Sequence, residues 1–166
     1  FGGRIRETSW KELKDAVDSG EVWGLFVVDR DPLTVWGAEM EKAVKAIAFT
    51  AYQGSHANKF SSLAQWVLPA CSYAEEDASF TNFQGQVQRA AAAAPKWGES
   101  RPDWEIFRDI LLELGVPAPW DSPAQLFAEL AKSEPAFAGM ALDDLGPFGR
   151  KLGQAAKVKS APVEAK

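Results

Sequence analysis

The first strong structural signal in the sequence is Val22-Trp23-Gly24-Leu25-Phe26-Val27-Val28-Asp29-Arg30-Asp31-Pro32. Its first seven residues form a continuous apolar run, which is typical of a β-strand covered on both faces. The polar residues and the proline that follow are turn formers, so they predict the end of that strand. Two more short apolar runs lie downstream, at Ala46–Tyr52 and Trp66–Leu68. The sequence therefore predicts three strands.

Helical patterns precede and separate these strands. The first begins with the capping-box pair Ser9 and Glu12 and ends at Gly20. A second is marked by apolar residues four apart, at Trp36, Met40 and Val44. Lys59–Ala64 is short enough to be a single helical turn. This alternation predicts an α/β fold with a parallel Rossmann-like sheet and flanking helices.

Beyond Pro69 the pattern changes to an irregular loop region, followed by a helical C-terminal extension. Within the irregular segment Cys71–Arg89, polar residues alternate at Gln84, Gln86 and Gln88. This alternation is typical of a strand with one solvent-exposed face. One helix is predicted between Pro102 and Gly115, and a second begins at the capping sequence Ser122–Gln125. The remainder reads as an extended tail.

These changes of pattern predict three parts of the chain. We expect an α/β half-domain at 1–89, a helical extension at 90–150 and a flexible basic tail at 151–166. The formal charge is −9 over residues 1–149 and +4 over the rest. An acidic body of this kind argues against a nucleic-acid partner. No apolar run is long enough to span a bilayer, so no direct membrane span is expected.

Few residues are candidates for chemistry. The single cysteine excludes a disulfide framework or an iron–sulfur cluster held by this chain alone, and the single histidine excludes a histidine cluster. We interpret His56 as a loop residue, Cys71 as an inert thiol and Glu75-Glu76-Asp77 as a solvated acidic turn. The seven tryptophans are interpreted as core residues. No catalytic residue and no metal ligand is predicted.

One ordered motif is far more specific. Residues 64–70 read Ala-Gln-Trp-Val-Leu-Pro-Ala, Glu75 follows, and residues 80–88 read Phe-Thr-Asn-Phe-Gln-Gly-Gln-Val-Gln. This series resembles the pattern A-D-V-V-L-P-A, a Glu, then G-T-F-T-N-x-E-G-R-V-Q of the molybdopterin oxidoreductase superfamily. That superfamily includes formate dehydrogenases and the large iron–sulfur subunit of bacterial NADH–quinone oxidoreductase, which is respiratory complex I. Residues 25–32 and 95–106 also resemble family segments, and 101–106 with Phe137–Met140 look most like the respiratory subunit.

The resemblance implies an origin in the distal part of a much longer protein. Iron–sulfur clusters are then expected upstream or in partner subunits, and the catalytic metal ligand is expected upstream. In pterin-binding members the equivalent loop lies near the cofactor, which makes Glu75, Thr81, Asn82 and Gln84 the candidate molybdopterin contacts. The family Glu and Arg are replaced here by Gln84 and Gln86, and the family Gly by Ala78. These replacements remove a charge pair and an arginine fork, so they argue against cofactor binding through this loop.

Two functions follow from the resemblance. The first is a structural, non-redox portion of NADH–quinone oxidoreductase, which packs against the electron-transfer modules of a membrane-associated respiratory complex. It would lie on the cytoplasmic face of the cell membrane, held there peripherally by partner subunits. The alternative is a fragment of a molybdenum or tungsten oxidoreductase, such as a formate dehydrogenase, that helps to close a molybdopterin guanine dinucleotide cleft. The glutamines at positions 84 and 86 favour the first.

Overall fold

The computed structural model describes residues 9–153. Within that range the chain forms two compact units. Unit 1 contains residues 9–72 together with Lys96–Ile106, and unit 2 contains Tyr73–Pro95 together with residues 107–153. Each unit is therefore assembled from two separate segments of the chain. The predicted part boundaries after residues 89 and 150 stay a prediction.

Unit 1 is built on a parallel three-stranded sheet. Its strands are β1 (Gly24–Val28), β2 (Phe49–Gly54) and β3 (Trp66–Pro69), in the order β1-β2-β3. In the register, Ala51 of β2 lies beside Phe26 of β1 and Trp66 of β3. The prediction of three adjacent parallel strands with flanking helices is confirmed.

Strand β1 differs from its prediction in one respect. It lies at the edge of the sheet, and its residues alternate between buried and exposed. Leu25 and Val27 are each 9% exposed, whereas Phe26 and Val28 are each 38% exposed. The expectation of a strand covered on both faces is therefore wrong for this chain. An uninterrupted apolar run does not show whether the second face is covered.

The helices of unit 1 pack on the Leu25 and Val27 face of the sheet. Helix α1 (Trp10–Asp18) begins with the predicted capping box, since Glu12 N–H donates to Ser9 Oγ and Ser9 N–H donates to Glu12 Oε2. Gly20 follows it with a φ of +79°, a conformation that favours glycine. The short helix α4 (Lys59–Leu63) begins at Asn58 with the same reciprocal arrangement.

The predicted helix through Trp36, Met40 and Val44 is broken into pieces. The structure has α2 (Leu33–Trp36), a 3₁₀ turn at Ala38–Met40 and α3 (Glu41–Ala46). Gly37 interrupts them with a φ of +89°, outside the helical region. The predicted buried face is nevertheless correct, because Trp36, Met40 and Val44 all lie in the core of unit 1. Its other buried members are Val17, Leu25, Val27, Leu33, Ile47, Tyr52 and Phe60.

Unit 2 has a small antiparallel sheet of β4 (Ala78–Thr81), β5 (Gln86–Ala90) and β6 (Arg150–Lys151). The segment expected to be irregular thus contains a hairpin, and Val87 is its fully buried residue. Helix α6 (Pro123–Ser133) packs Phe127 against Val87, and the core is completed by residues of the next segment: Met140, Leu142 and Leu145. That segment was expected to be an extended tail, but it has 3₁₀ turns at Pro135–Phe137 and Leu142–Asp144.

The two predicted C-terminal helices are confirmed as α5 (Asp103–Glu113) and α6. The capping box of α6 is only half formed. Gln125 N–H donates to Ser122 Oγ at 3.4 Å, but Gln125 Oε1 accepts from Asp121 N–H instead of from the cap itself. From residue 154 onward, the predicted basic tail lies outside the described residues. No helix within residues 9–153 is long and apolar enough to cross a membrane.

The interpretation of all seven tryptophans as core residues is wrong. Trp36 alone is fully buried, at 4% exposed, and Trp104 and Trp120 are half-buried. The other four are exposed in this chain, at Trp10, Trp23, Trp66 and Trp97. Large apolar side chains are ambiguous in a sequence, since the same residue types form cores and interaction surfaces.

Candidate functional site

The carboxyl ends of the three parallel strands bring together polar groups from distant parts of unit 1. Asp29 follows β1, Ser55 and His56 follow β2, and Ala70 follows β3, where it forms a bridge with Arg101. In open parallel sheets this edge is where ligands bind, because the loops there leave a crevice. We therefore take it as the candidate site.

Two turns at this edge are joined through Asp29. Its backbone N–H donates to the carbonyl of Gln53 at 2.8 Å, and its Oδ1 accepts from Ser55 N–H at 3.1 Å. Asp29 has a φ of +54°, which is unusual for a residue other than glycine. A Cβ on Gly54 would collide with the Tyr52 hydroxyl and with Asp29 Oδ1. A larger residue at this position would therefore displace the Tyr52 ring or the Asp29 carboxylate.

Asp31 connects the turn after β1 to helix α4. Its Oδ1 accepts from Leu33 N–H at 3.1 Å, and its Oδ2 accepts from Lys59 N–H at 3.2 Å. Asn58 adds a weaker contact, since its amide donates to the carbonyl of Arg30 at 3.4 Å. The carboxylate of Asp31 therefore holds two loops of the edge in place by accepting backbone hydrogen bonds.

Tyr52 and His56 meet at the end of β2. The Tyr52 hydroxyl donates to the carbonyl of His56 at 2.8 Å, and Ser55 Oγ lies 2.9 Å from His56 Nδ1. Burial raises the pKa of Tyr52, and the negative charges of Asp29 and Asp31 raise it further. Tyr52 is therefore a neutral donor at physiological pH. His56 itself is exposed on the loop, as its interpretation expected.

Gln53 and Asp103 form a hydrogen bond at this edge of the sheet. Gln53 is 0% exposed, and its Nε2 donates to Asp103 Oδ1 at the start of α5. Burial raises the pKa of Asp103; the hydrogen bond from Gln53 opposes that rise, and the charge of Asp29 adds to it. The other amide atom, Gln53 Oε1, is buried without a hydrogen-bond partner in the described part of the chain. Such an acceptor costs about 1–3 kcal/mol when it stays unsatisfied.

The predicted cofactor contacts lie in unit 2, on and before the β4–β5 hairpin. Asn82 Oδ1 accepts from the N–H groups of Gln84 and Gln86, each at 2.9 Å, and Gly85 completes the turn with a φ of +76°. Asn82 thus ties the turn to the sheet. Thr81, Asn82 and Gln84 are exposed together at this turn, whereas Glu75 is half-buried and precedes β4. Whether these four residues contact a cofactor stays a prediction.

The remaining candidate residues, Cys71 and the acidic turn, make contacts that support the fold. Cys71 is buried, and its Sγ contacts Ser100 Oγ at 3.7 Å. Asp77 Oδ1 accepts from Ala92 N–H at 3.2 Å, so this member of the acidic turn holds a backbone segment. Within residues 9–153, no three histidine, cysteine or acidic side chains are grouped so that they could hold a metal ion.

The sequence-based reasoning missed Gln53 and Asp103. Gln53 could have been found from the sequence, because a polar residue directly after the apolar run that forms β2 is expected at the ligand-binding edge of a parallel sheet. Asp103 lies within the family-like segment 101–106, but its separation of 50 residues from Gln53 gave no sign that the two would meet. Only the tertiary fold brings these two side chains together.

Comparison with known proteins agrees with this architecture. Residues 3–112 match the molybdopterin oxidoreductase family. The chain is 35% identical over 129 residues to the alpha subunit of F420-dependent formate dehydrogenase 2 from Methanococcus maripaludis, covering 75% of this chain and 19% of that protein. It is 30% identical over 139 residues to a predicted formate dehydrogenase of Staphylococcus aureus strain bovine RF122, covering 82% and 14% respectively.

The chain thus spans less than a fifth of the length of these curated relatives. Both relatives are named as formate dehydrogenases, and the assignment to NADH–quinone oxidoreductase stays a prediction. The family match covers about two-thirds of the chain, including the whole parallel sheet, the β4–β5 hairpin and all but the last residue of α5. The chain belongs to the molybdopterin oxidoreductase family.

Proposed function

We propose that this chain is the distal part of a formate dehydrogenase-type oxidoreductase subunit, and that its sheet edge contributes to a molybdopterin guanine dinucleotide cleft. The similarity to two formate dehydrogenases supports the class of enzyme. The observation that carries the binding role is Gln53, whose fully buried amide leaves Oε1 without a partner in the described residues. An N–H group of a bound ligand would satisfy that acceptor.

The residues at this edge fit the heterocyclic ends of such a cofactor better than its phosphates. Gln53 Oε1 and the carboxyl groups of Asp29 and Asp103 are hydrogen-bond acceptors. Guanine and pterin rings both present ring N–H and amino donors, whereas phosphate oxygens require donors. When bound, the molybdenum centre of the cofactor supplies the two-electron redox chemistry. The residues of this chain would bind and orient one of its rings.

The hairpin of unit 2, taken by itself, holds the other candidate cofactor contacts. Glu75, Thr81, Asn82 and Gln84 correspond to the family motif, and Thr81, Asn82 and Gln84 are exposed at the turn. With Gln84 and Gln86 in place of a charged pair, the turn itself offers neutral hydrogen-bonding groups. Iron–sulfur clusters and the metal ligand would then come from other parts of the protein or from partner subunits.

A second candidate is a structural portion of NADH–quinone oxidoreductase that binds no pterin. It is favoured by residues 101–106 and by Phe137–Met140, which resemble the respiratory subunit. Either assignment implies partner subunits, in line with the alpha-subunit name of the Methanococcus relative. A peripheral position on the cytoplasmic face of the membrane belongs to this second candidate.

Guanosine diphosphate, a soluble analogue of the guanine end of the cofactor, can separate the two candidates. If its Kd is about 10 µM, 1 mM ligand should stabilise the chain by about 2.7 kcal/mol, measured as a rise in melting temperature. Inosine diphosphate, which lacks the amino group, should stabilise it less. Gln53→Met should abolish the difference between the two nucleotides, whereas Gln84→Met at the exposed hairpin should preserve it. A folded chain with no response to guanosine diphosphate would favour the structural candidate.

A further inference from the structure

Strand β6 of unit 2 carries an arginine that lies beside an apolar core. Arg150 is directly opposite Val87 in the β5–β6 pairing, so the two side chains lie on the same face of the sheet. On that face Val87 is 0% exposed and belongs to a core with Phe127 and Leu142. Arg150 is half-buried, and its Nη1 is buried without a hydrogen-bond partner in residues 9–153. Its guanidinium therefore has a donor group that the described chain does not satisfy.

A second arginine on the same face has the partner that Arg150 lacks. Arg89 follows Val87 by two residues along β5, and its Nη1 donates to Asp143 Oδ1 at 2.6 Å. Asp143 is thus engaged by Arg89, and Arg150 forms no ion pair within the described part of the chain. A charge that is partly removed from water and left unpaired is destabilising. The missing partner of Arg150 is therefore an anionic hydrogen-bond acceptor.

The backbone on both sides of Arg150 is held in place. Gly149 has a φ of +74°, and a Cβ at this position would collide with the carbonyl oxygen of Val87, so the chain passes close to β5 here. On the other side, Leu152 N–H donates to the carbonyl of Gly85 at 2.9 Å. These contacts fix the position from which the Arg150 side chain extends. A donor on a fixed backbone loses less conformational entropy when it binds a ligand.

We propose that Arg150 is the binding group of an oxyanion site in unit 2, which takes a carboxylate or a phosphate. Its planar guanidinium presents parallel N–H groups that match the paired oxygens of both anions. A bound oxyanion would satisfy the buried Nη1 and neutralise the charge beside the apolar core. Two sources supply this chemistry: a free small oxyanion, or the carboxylate of Glu164, the one acidic residue of 154–166. The proposal does not rest on cofactor binding by Gln53, so the two are tested separately.

Titration of the 166-residue chain with inorganic phosphate at constant ionic strength tests the site. The Arg150 Nε–H resonance should shift saturably, and at ten times the Kd the folded-to-unfolded ratio in urea should rise about elevenfold. Arg150→Met should lose this rise. Arg150→Lys keeps the charge without the planar fork, so it should retain only part of the rise. Phosphate also stabilises proteins by exclusion from their surface, so the variants are compared at the same phosphate concentration.

Lys151→Met is the matched control. It removes the same charge from the next residue, whose exposed side chain lies opposite Gln86 on the other face of the sheet, so it should keep the full rise. The same variants in a Glu164→Gln background distinguish the sources: phosphate should bind several-fold more tightly in this background if Glu164 is the source, and equally if a free anion is. Equal losses in Arg150→Met and Lys151→Met would overturn the proposal. So would an Arg150 Nε–H resonance that phosphate does not shift in either background.

Discussion

Truncation of two phenylalanines, Phe60 and Phe26, should distinguish the core of unit 1 from the more exposed side of its strand β1. Phe60 is 0% exposed and packs against Tyr52 with ring centroids 6.4 Å apart. Phe26 lies on the edge strand and is 38% exposed. Both substitutions to alanine remove the same atoms, so a difference between them reports the surroundings of each ring.

The expected magnitudes follow from burial. Truncating a fully buried phenylalanine loses its transfer free energy and leaves a cavity, so Phe60→Ala should lower the free energy of unfolding by about 3–5 kcal/mol. Phe26 is roughly three-fifths buried, so its truncation removes less buried surface than the truncation of Phe60 does. Three-fifths of the 1.5–3 kcal/mol for burying such a side chain gives a loss of about 1–2 kcal/mol for Phe26→Ala.

Urea denaturation followed by tryptophan fluorescence is a suitable assay, because six of the seven tryptophans belong to unit 1. With a slope of about 2 kcal/mol/M, Phe60→Ala should lower the urea midpoint by about 1.5–2.5 M and Phe26→Ala by about 0.5–1 M. If Phe26→Ala lowered the midpoint as much as Phe60→Ala, the position of β1 at the edge of the sheet would be wrong.

Two further predictions concern polar contacts. The pKa of Asp103 is raised in the folded chain, so its contribution to stability is fully present below its ordinary value of 3.8 and is lost as the pH rises through the raised pKa. The free energy of unfolding of the unmodified chain should therefore fall relative to that of Asp103→Asn over this range in urea titrations, and a constant difference would contradict the assignment. Asn82→Ala removes the acceptor of two backbone N–H groups, so it should destabilise the hairpin by about 1 kcal/mol. Faster amide exchange at Val87 would show this effect, and Gln84→Ala is the matched control.

Local sequence patterns predicted most helices and strands, because the contacts that begin and end these elements lie within a few residues of each other. The capping box at Ser9 and Glu12 and the glycine at position 20 set the ends of α1 by contacts within a few residues. The apolar runs predicted all three parallel strands, although β2 begins three residues later than its run. The break at Gly37 was missed because spacing of four predicts a buried face without requiring a continuous helix.

Residue type predicted which side chains are buried less well than the spacing of apolar residues did. The tryptophans were assigned to the interior by residue type, yet Trp23, Trp66 and Trp97 are exposed. The hairpin β4–β5 was only partly anticipated, since alternating glutamines indicated a strand but gave no partner for it. Strand pairing depends on contacts between separate segments, and a single segment carries little information about its partner.

An ordered motif and short-range spacing were sufficient to predict the family and the parallel three-stranded sheet. The position of β1 at an edge and the contact of Gln53 with Asp103 across 50 residues of chain became visible only in the folded chain. Burial, the raised pKa of Asp103 and the unsatisfied Gln53 Oε1 all arise from that meeting. Such properties belong to the environment that a side chain enters on folding, and spacing along the chain does not encode them.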